Sequence, residues 1–177
     1  GQAFGNSDVY VEQLIPRARH IEIQILGDGS GGITNLGERE CTIQRRHQKI
    51  IEVAPCPGLS SRLRDRLITA ATKLAEATRY ENAGSFEFLV DSALMDSDDA
   101  TFFFIEANAR LQVEHTVTEE VTGIDLVKTQ LQLADGSSLQ ELGLGQQEIG
   151  APRGYAMQVR INMETMTQDG TARPSGG

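Results

Sequence analysis

Residues 102–115 read F-F-F-I-E-A-N-A-R-L-Q-V-E-H. Side chains of an extended strand alternate between two faces. Extended throughout, this stretch places Ile105, Ala107, Ala109, Leu111 and Val113 on one face and Glu106, Asn108, Arg110, Gln112 and Glu114 on the other. A half-exposed strand with a salt-bridged outer face would show the same alternation. The polar set is more specific than that reading requires. A carboxylate two residues from an amide can share a hard cation. An arginine followed by a glutamate can hold an anion and move a proton. The stretch therefore reads as a strand that carries a functional site.

Immediately upstream, residues 85–90 (S-F-E-F-L-V) also read as a strand, and the acidic loop 91–101 returns the chain into Phe102. The two strands are expected to form an antiparallel hairpin that brings Glu87 near Glu106 on a shared face. Taken alone, Glu87 would be an ordinary exposed strand residue. Paired with Glu106 and Asn108, it completes an oxygen-rich set suited to Mg2+ or Mn2+. Two carboxylates that close need a cation or a proton between them. Downstream, Thr116-Val117-Thr118-Glu119 has the pattern of a capping box that starts a helix. Gly123 breaks that helix, and Asp125 restarts it to about residue 134. His115, at the junction, reads as structural. Residues 135–151 form a connection. Residues 155–162 then alternate again, with Tyr155, Met157, Val159 and Ile161 opposite Gln158, Arg160 and Asn162. Without context Arg160 is a surface residue.

The first half of the chain is built from strands and one helix. Residues 9–15 alternate up to Pro16 and carry Glu12 on the polar face. Residues 20–26 (H-I-E-I-Q-I-L) give the clearest strand pattern, with three isoleucines against His20, Glu22 and Gln24. Residues 28–32 form a glycine-rich turn into a second strand; they lack the lysine, hydroxyl and following helix of a phosphate loop. Residues 37–49, if extended, present Arg45, His47 and Lys49 on one face and Gln44, Arg46 and Gln48 on the other. Such a segment is either a charged edge strand that resists aggregation or an anion clamp. Its place in an acidic chain beside a carboxylate cluster favours the clamp. Ser60 or Ser61 caps a helix to about Tyr80, with Leu63, Leu67, Ala70, Ala71, Leu74 and Ala75 on its core face.

Composition narrows the function classes. The net charge of -9 over 177 residues argues against a general nucleic-acid binder, and no apolar run is long enough to span a membrane. Cys41 and Cys56 form no C-x-x-C pair and suit a reducing compartment, the cytoplasm or a mitochondrial matrix. The first residues show no signal-peptide pattern. Both ends read as internal positions of a longer protein.

Several segments together resemble biotin carboxylase, an ATP-grasp enzyme. They are H-I-E-I-Q-I-L-G-D from His20, E-R-E-C-T-I-Q-R-R-H-Q-K from Glu38, A-P-C-P-G-L from Ala54 and N-A-G-S-F-E-F-L from Asn82. They continue, in the family's order, with F-I-E-A-N-A-R-L-Q-V-E-H-T-V-T-E from Phe104, G-I-D-L-V from Gly123 and R-I-N-M-E from Arg160. The resemblance implies an α+β ATP-grasp fold, mostly antiparallel sheet with flanking helices. It implies that residues 1–14 end the mobile lid and form the hinge, that 15–150 are the catalytic core, and that 151–177 begin the carboxy-terminal region. The amino-terminal domain, most of the lid and the rest of the carboxy-terminal domain would lie outside this chain, so the piece alone is expected to lack turnover.

The same resemblance implies roles. Glu12, Gln13 and Ile15 match the hinge beside adenine, although the family usually has a lysine and an aromatic residue at positions 13 and 14. His20, Gln44 and His47 match positions around the ribose and phosphates of ATP. Glu87, Glu106 and Asn108 match the ligands of two Mg2+ (or Mn2+) ions. Lys49, Arg110, Gln112 and Val113 match a bicarbonate pocket, Glu114 the general base, and Arg160 the arginine that stabilises the biotin enolate. The implied reaction is carboxylation of biotin through carboxyphosphate. The implied partners are a biotin carrier domain and a carboxyltransferase domain or subunit in a homo-oligomeric parent. Two rival readings stand beside it: another ATP-grasp ligase with a carboxylate or carbamoyl acceptor, and a non-enzymatic nucleotide-binding or assembly module. The final acceptor, whether acyl-CoA, pyruvate or urea, leaves no mark in these residues.

Overall fold

A computed structural model describes residues 8, 9 and 11–175. Its strands are β1 (Ala18–Asp28), β2 (Ile33–Arg45), β3 (Gln48–Ala54), β4 (Glu81–Asp91), β5 (Phe102–Asn108), β6 (Ala156–Val159), β7 (Glu164–Met166) and β8 (Ala172–Pro174). The helices are α1 (Ser61–Thr78), α2 (His115–Thr122) and α3 (Leu126–Ala134). Six strands form one sheet in the order β5-β4-β1-β2-β3-β6, and β7 pairs with β8. Every pairing is antiparallel. The α+β class read from the sequence holds.

The central strand β1 explains the layering. Ile21, Ile23 and Ile25 face α1, whose Leu63, Leu67, Ala71 and Ala75 fall one helical turn apart and join them in one core with Phe86, Phe88 and Val90 of β4. Ser60 caps α1 by accepting the Leu63 N–H, and Arg79, in a left-handed conformation, closes it. Leu26 turns the other way and packs with Ala83 and with Leu126 and Leu133 of α3. Ala54 meets Val117 and Val121 of α2 on that same side. Between these two apolar patches lies the polar floor of the site.

Four sequence expectations change. Residues 11–15 adopt no regular structure, so the strand expected over 9–15 does not form there; Tyr10 lies outside the described residues. No strand among the described residues pairs with it, and Pro16 lacks the N–H that would continue a ladder. The basic segment is not one strand: Arg46 and His47, with φ of 52° and 64°, form a two-residue turn between β2 and β3. Both central residues of such a turn need positive φ. The capping box at Thr116 is not used. Helix α2 begins at His115 with Glu114 in the cap position, and that side chain makes no capping hydrogen bond because it bonds Lys49 instead.

The fourth change concerns the opening stretch itself. β5 ends at Asn108, and residues 109–114 are loop and turn. The register between β4 and β5 also shifts: Glu87 faces Glu106, yet Phe88 faces Phe104. One extra residue in β5, Ile105, makes this a bulge. Strict alternation would put Phe104 and Glu106 on one face. The bulge instead sends Phe102 and Phe104 to edge contacts with Phe88, and Glu106 and Asn108 to the polar side.

Candidate active site

The site is a row of charges laid across adjacent strands. Arg39 of β2 faces Glu22 of β1, Glu22 faces Glu87 of β4, and Glu87 faces Glu106 of β5. Direct cross-strand neighbours have Cβ atoms about 4.5–5.5 Å apart, so three carboxylates in a row would repel strongly without cations. Lys49 supplies one. Its Nζ donates to Glu22 Oε2 at 2.7 Å, to Glu87 Oε1 at 2.9 Å and to Glu114 Oε1 at 2.7 Å. The buried Arg39 supplies the other, donating to Glu22, to Gln24 Oε1 at 2.7 Å and to Thr118 Oγ1 at 2.8 Å.

The carboxylate at the centre of this row has many partners. Glu87 accepts from Lys49, from Gln112 Nε2 at 3.0 Å and from Asn108 Nδ2 at 2.9 Å, and it pairs with His20 Nε2. Burial works against its ionisation, but the His20 hydrogen bond and the Lys49 charge outweigh it and hold the carboxyl far below the usual carboxylate range. Glu114 is shifted in the same direction: burial opposes, and the Lys49 hydrogen bond and charge prevail. Lys49 is held more firmly protonated than a free lysine, because the Glu22 charge and the hydrogen bonds to Glu114 and Glu22 overcome its burial. Glu87, Glu114 and Lys49 are therefore all held in their charged forms at neutral pH.

Two adjoining recesses open above this floor. One, of about 420 Å³, is lined by Lys49, Gln112, Val113, Glu114, Arg110 and Arg160 together with Glu87, Glu106, Asn108 and the Arg46–His47 turn. The other, of about 470 Å³, is lined by His20, Gln44, His47, Glu87 and Glu106 with apolar Leu89 and Ile105. His47, Glu87 and Glu106 border both. Twelve of the fifteen residues singled out from the sequence thus line one recess or the other. The other three, Glu12, Gln13 and Ile15, lie in the irregular segment before β1 and line neither recess.

Local structure sets each position. Gln44 Nε2 lies 2.8 Å from His20 Nδ1 and 2.9 Å from the Cys41 carbonyl, which orients the imidazole towards Glu87. Gln112 bonds Ser85 through its carbonyl and Glu87 through its amide. Gly84 lets β5 come close: a Cβ there would lie 2.6 Å from the Asn108 carbonyl and overlap the Tyr80 hydroxyl. Asn108 Nδ2 bridges Glu87 and Glu106, at 2.9 and 3.0 Å. The two facing carboxylates and Asn108 Oδ1, which here accepts from Arg110 at 3.4 Å, are oxygen donors of the kind a hard divalent cation takes, with the amide turned to present its oxygen in place of Nδ2.

Sequence reading missed Glu22, Gln24, Arg39, Ser85 and Thr118. The first two were within reach, since the alternation of residues 20–26 puts them beside His20. Arg39 was not, because a fully buried arginine looks like any surface arginine until its partners are known.

The geometry agrees with what comparison finds. The family model of the carbamoyl-phosphate synthase L chain, ATP binding domain, matches residues 1–142. Human mitochondrial pyruvate carboxylase is 52% identical over 162 residues, which is 92% of this chain and 13% of that protein. The biotin carboxylase domain of a single-chain bacterial carboxylase is 52% identical and superposes with a TM-score of 0.79 over 88% of this chain and 35% of that one. The biotin carboxylase domain of Hydrogenobacter thermophilus 2-oxoglutarate carboxylase, solved with MgADP, ADP and bicarbonate, is 41% identical with a TM-score of 0.81, covering 92% of this chain and 34% of that one. The chain spans about an eighth of the length of the pyruvate carboxylases it matches.

Proposed function

The chain belongs to the family of carbamoyl-phosphate synthase L chain ATP-binding domains, and from that premise we propose that it supplies the catalytic floor for ATP- and bicarbonate-dependent carboxylation of biotin within a larger biotin-dependent carboxylase. The observation that carries this reading is the Lys49–Glu114 pair, 2.7 Å apart, at the base of a recess that Arg110, Gln112 and Arg160 also line. Cations and a buried carboxylate converging on one small space suit an anion that must be held and deprotonated.

The residues divide the work. Glu114, kept ionised by Lys49, takes the bicarbonate proton. Lys49, Arg110, Gln112 and the Val113 backbone hold the anion as it attacks the terminal phosphate of ATP, which gives carboxyphosphate. His20, Gln44 and His47 border the nucleotide, with Glu12, Gln13 and Ile15 at its adenine end. Glu87, Glu106 and Asn108 would hold Mg2+ or Mn2+, which when bound neutralises phosphate charge and aligns the transferring group. Carboxyphosphate breaks down to CO2 and phosphate, the phosphate takes the ureido proton of biotin, and Arg160 stabilises the resulting enolate, which captures the CO2. A carbamoyl or carboxylate acceptor would have less use for an arginine at position 160.

On this reading residues 15–150 are the catalytic core, 1–14 the hinge, and 151–177 the start of the carboxy-terminal region. The partners are a biotin carrier domain and a carboxyltransferase, in a homo-oligomer. The compartment is the cytoplasm or, in a eukaryote, the mitochondrial matrix. No helix among the described residues is long and apolar enough to cross a membrane. The test is ATP cleavage by the full-length enzyme with and without bicarbonate, in wild type and Glu114→Gln. Bicarbonate-dependent cleavage that is lost in the variant while ATP still binds supports the reading. Cleavage indifferent to bicarbonate and to the substitution overturns it.

A further inference from the structure

Residues 112–115 form a reverse turn that leads into α2. The His115 backbone N–H donates to the Gln112 carbonyl at 3.1 Å, so Gln112 and His115 close the turn and Val113 and Glu114 are its central residues. Glu114, with φ of -74° and ψ of 3°, has the backbone that the second central position of a common turn takes. Gln112, the Val113 backbone and Glu114 are the groups assigned above to bicarbonate. The shape of this turn therefore sets where the anion sits relative to its base. The Gln112 and Glu114 side chains are anchored on Ser85, Glu87 and Lys49. The Val113 side chain anchors nothing, since it is 58% exposed.

The His115 imidazole adds a second restraint. Its Nδ1 lies 2.9 Å from the same Gln112 carbonyl. A carbonyl only accepts, so Nδ1 carries the proton, and one residue gives that oxygen two hydrogen bonds. Nε2 is left facing Glu119 Oε2, one helical turn along α2. At 3.6 Å this is an ion-pair distance, longer than a direct hydrogen bond. The other oxygen of that carboxylate, Oε1, accepts the Leu126 N–H at 2.7 Å. Leu126 is the first residue of α3 and is fully buried in the core that α3 shares with Leu26 and Ala83. The imidazole thus joins the turn, through Glu119, to the buried start of α3. His115 itself lines neither recess, so any effect it has on the chemistry passes through the turn.

We propose that His115 is a positioning residue for the bicarbonate step: its Nδ1–H holds the 112–115 turn in the shape that sets the Val113 backbone and Glu114 around the anion, and Glu119 braces the ring from behind. This rests on the function proposed above. The nucleotide side of the site, built on His20, Gln44 and His47, makes no use of this turn.

The experiment is ATP cleavage by the full-length enzyme, with bicarbonate and ATP varied separately and the melting midpoint followed alongside. His115→Phe removes both ring nitrogens. It is expected to raise KM for bicarbonate about five- to tenfold, the size of one lost hydrogen bond, to lower kcat, and to leave KM for ATP within about twofold. Asparagine places an amide nitrogen near the position of Nδ1, and glutamine near that of Nε2. His115→Asn is therefore expected to stay within about threefold of wild type, and His115→Gln to behave like His115→Phe. Should His115→Phe not fold, the contrast between the asparagine and glutamine variants decides the matter alone. The inference is overturned if KM for bicarbonate does not move, if KM for ATP rises with it, if only the melting midpoint falls, or if glutamine matches or exceeds asparagine in restoring the enzyme. A wild-type enzyme with no bicarbonate-dependent ATP cleavage would remove the function reading and this inference with it, and that result is distinct from the other four.

Discussion

On β1, Ile21, Ile23 and Ile25 are fully buried against α1, while Glu22 and Gln24, alternating with them, are just as inaccessible on the opposite face. One strand thus has two dry faces with opposite chemistry. The α1 face is held by apolar area removed from water, at about 25 cal/mol per Å². It asks only for shape and volume. The charged face gains nothing from burial and relies on cations set among its carboxylates, with Lys49 placed where three of them converge. The difference teaches that burial alone does not reveal which face of this sheet works. Pairing does.

The sharpest way to break the comparison is Lys49→Met. It should leave Glu114 without its cation, Glu22 with Arg39 alone and Glu87 with His20 and two amides, and cost about 3–5 kcal/mol, read as a lower denaturant midpoint together with loss of bicarbonate-dependent ATP cleavage. If stability holds, the charged face does not depend on pairing. On the other face, Leu67→Ala should cost about 3 kcal/mol through a cavity and leave the rate per folded molecule unchanged. A changed rate would show that the two faces are mechanically coupled.

A pH titration of stability comes next. Glu87 and Glu114 both have folded-state pKa values below their unfolded ones. Their contribution is therefore complete above the unfolded value of about 4.3 and is lost as pH falls through the folded values. Unfolding followed by circular dichroism should show stability dropping from about pH 4 downward, and Glu87→Gln should flatten that slope. The Lys49 shift has the opposite sign, so its contribution persists through neutral pH and fails only in strong base. The smallest effect is expected away from both faces. Asp125 caps α3 by accepting the Lys128 N–H at 2.8 Å, and Asp125→Ala should cost about 1 kcal/mol with no change in catalysis.

Much of this was legible in the residues. The α1 face, the 28–32 turn and the Glu87–Glu106 meeting all follow from periodicity and turn chemistry that local sequence states directly. What stayed hidden depended on distant partners. Nothing local marks Ile105 as a bulge, since the extra residue exists only relative to β4. Thr116 has the composition of a helix cap, but Glu114 is committed to Lys49, 65 positions away, and α2 starts two residues earlier than that motif implies. The Arg46–His47 turn contains none of the glycine or asparagine that usually marks positive φ. Residues 155–162 alternate as the sequence suggests, yet Tyr155, Met157, Val159 and Ile161 are exposed, because no element among the described residues covers that side of β6.

The Arg46–His47 turn has a consequence for anyone who evolves or engineers this protein. Two bulky residues occupy a backbone conformation that Asn-Gly would adopt with less strain. A screen for heat tolerance alone would be drawn to that replacement. It would also strip His47 from the wall shared by the two recesses. The tightest bend in the sheet is therefore a place where selection for robustness and selection for turnover pull in opposite directions, and a library that scores only survival after heating would drift towards sturdy, idle enzymes.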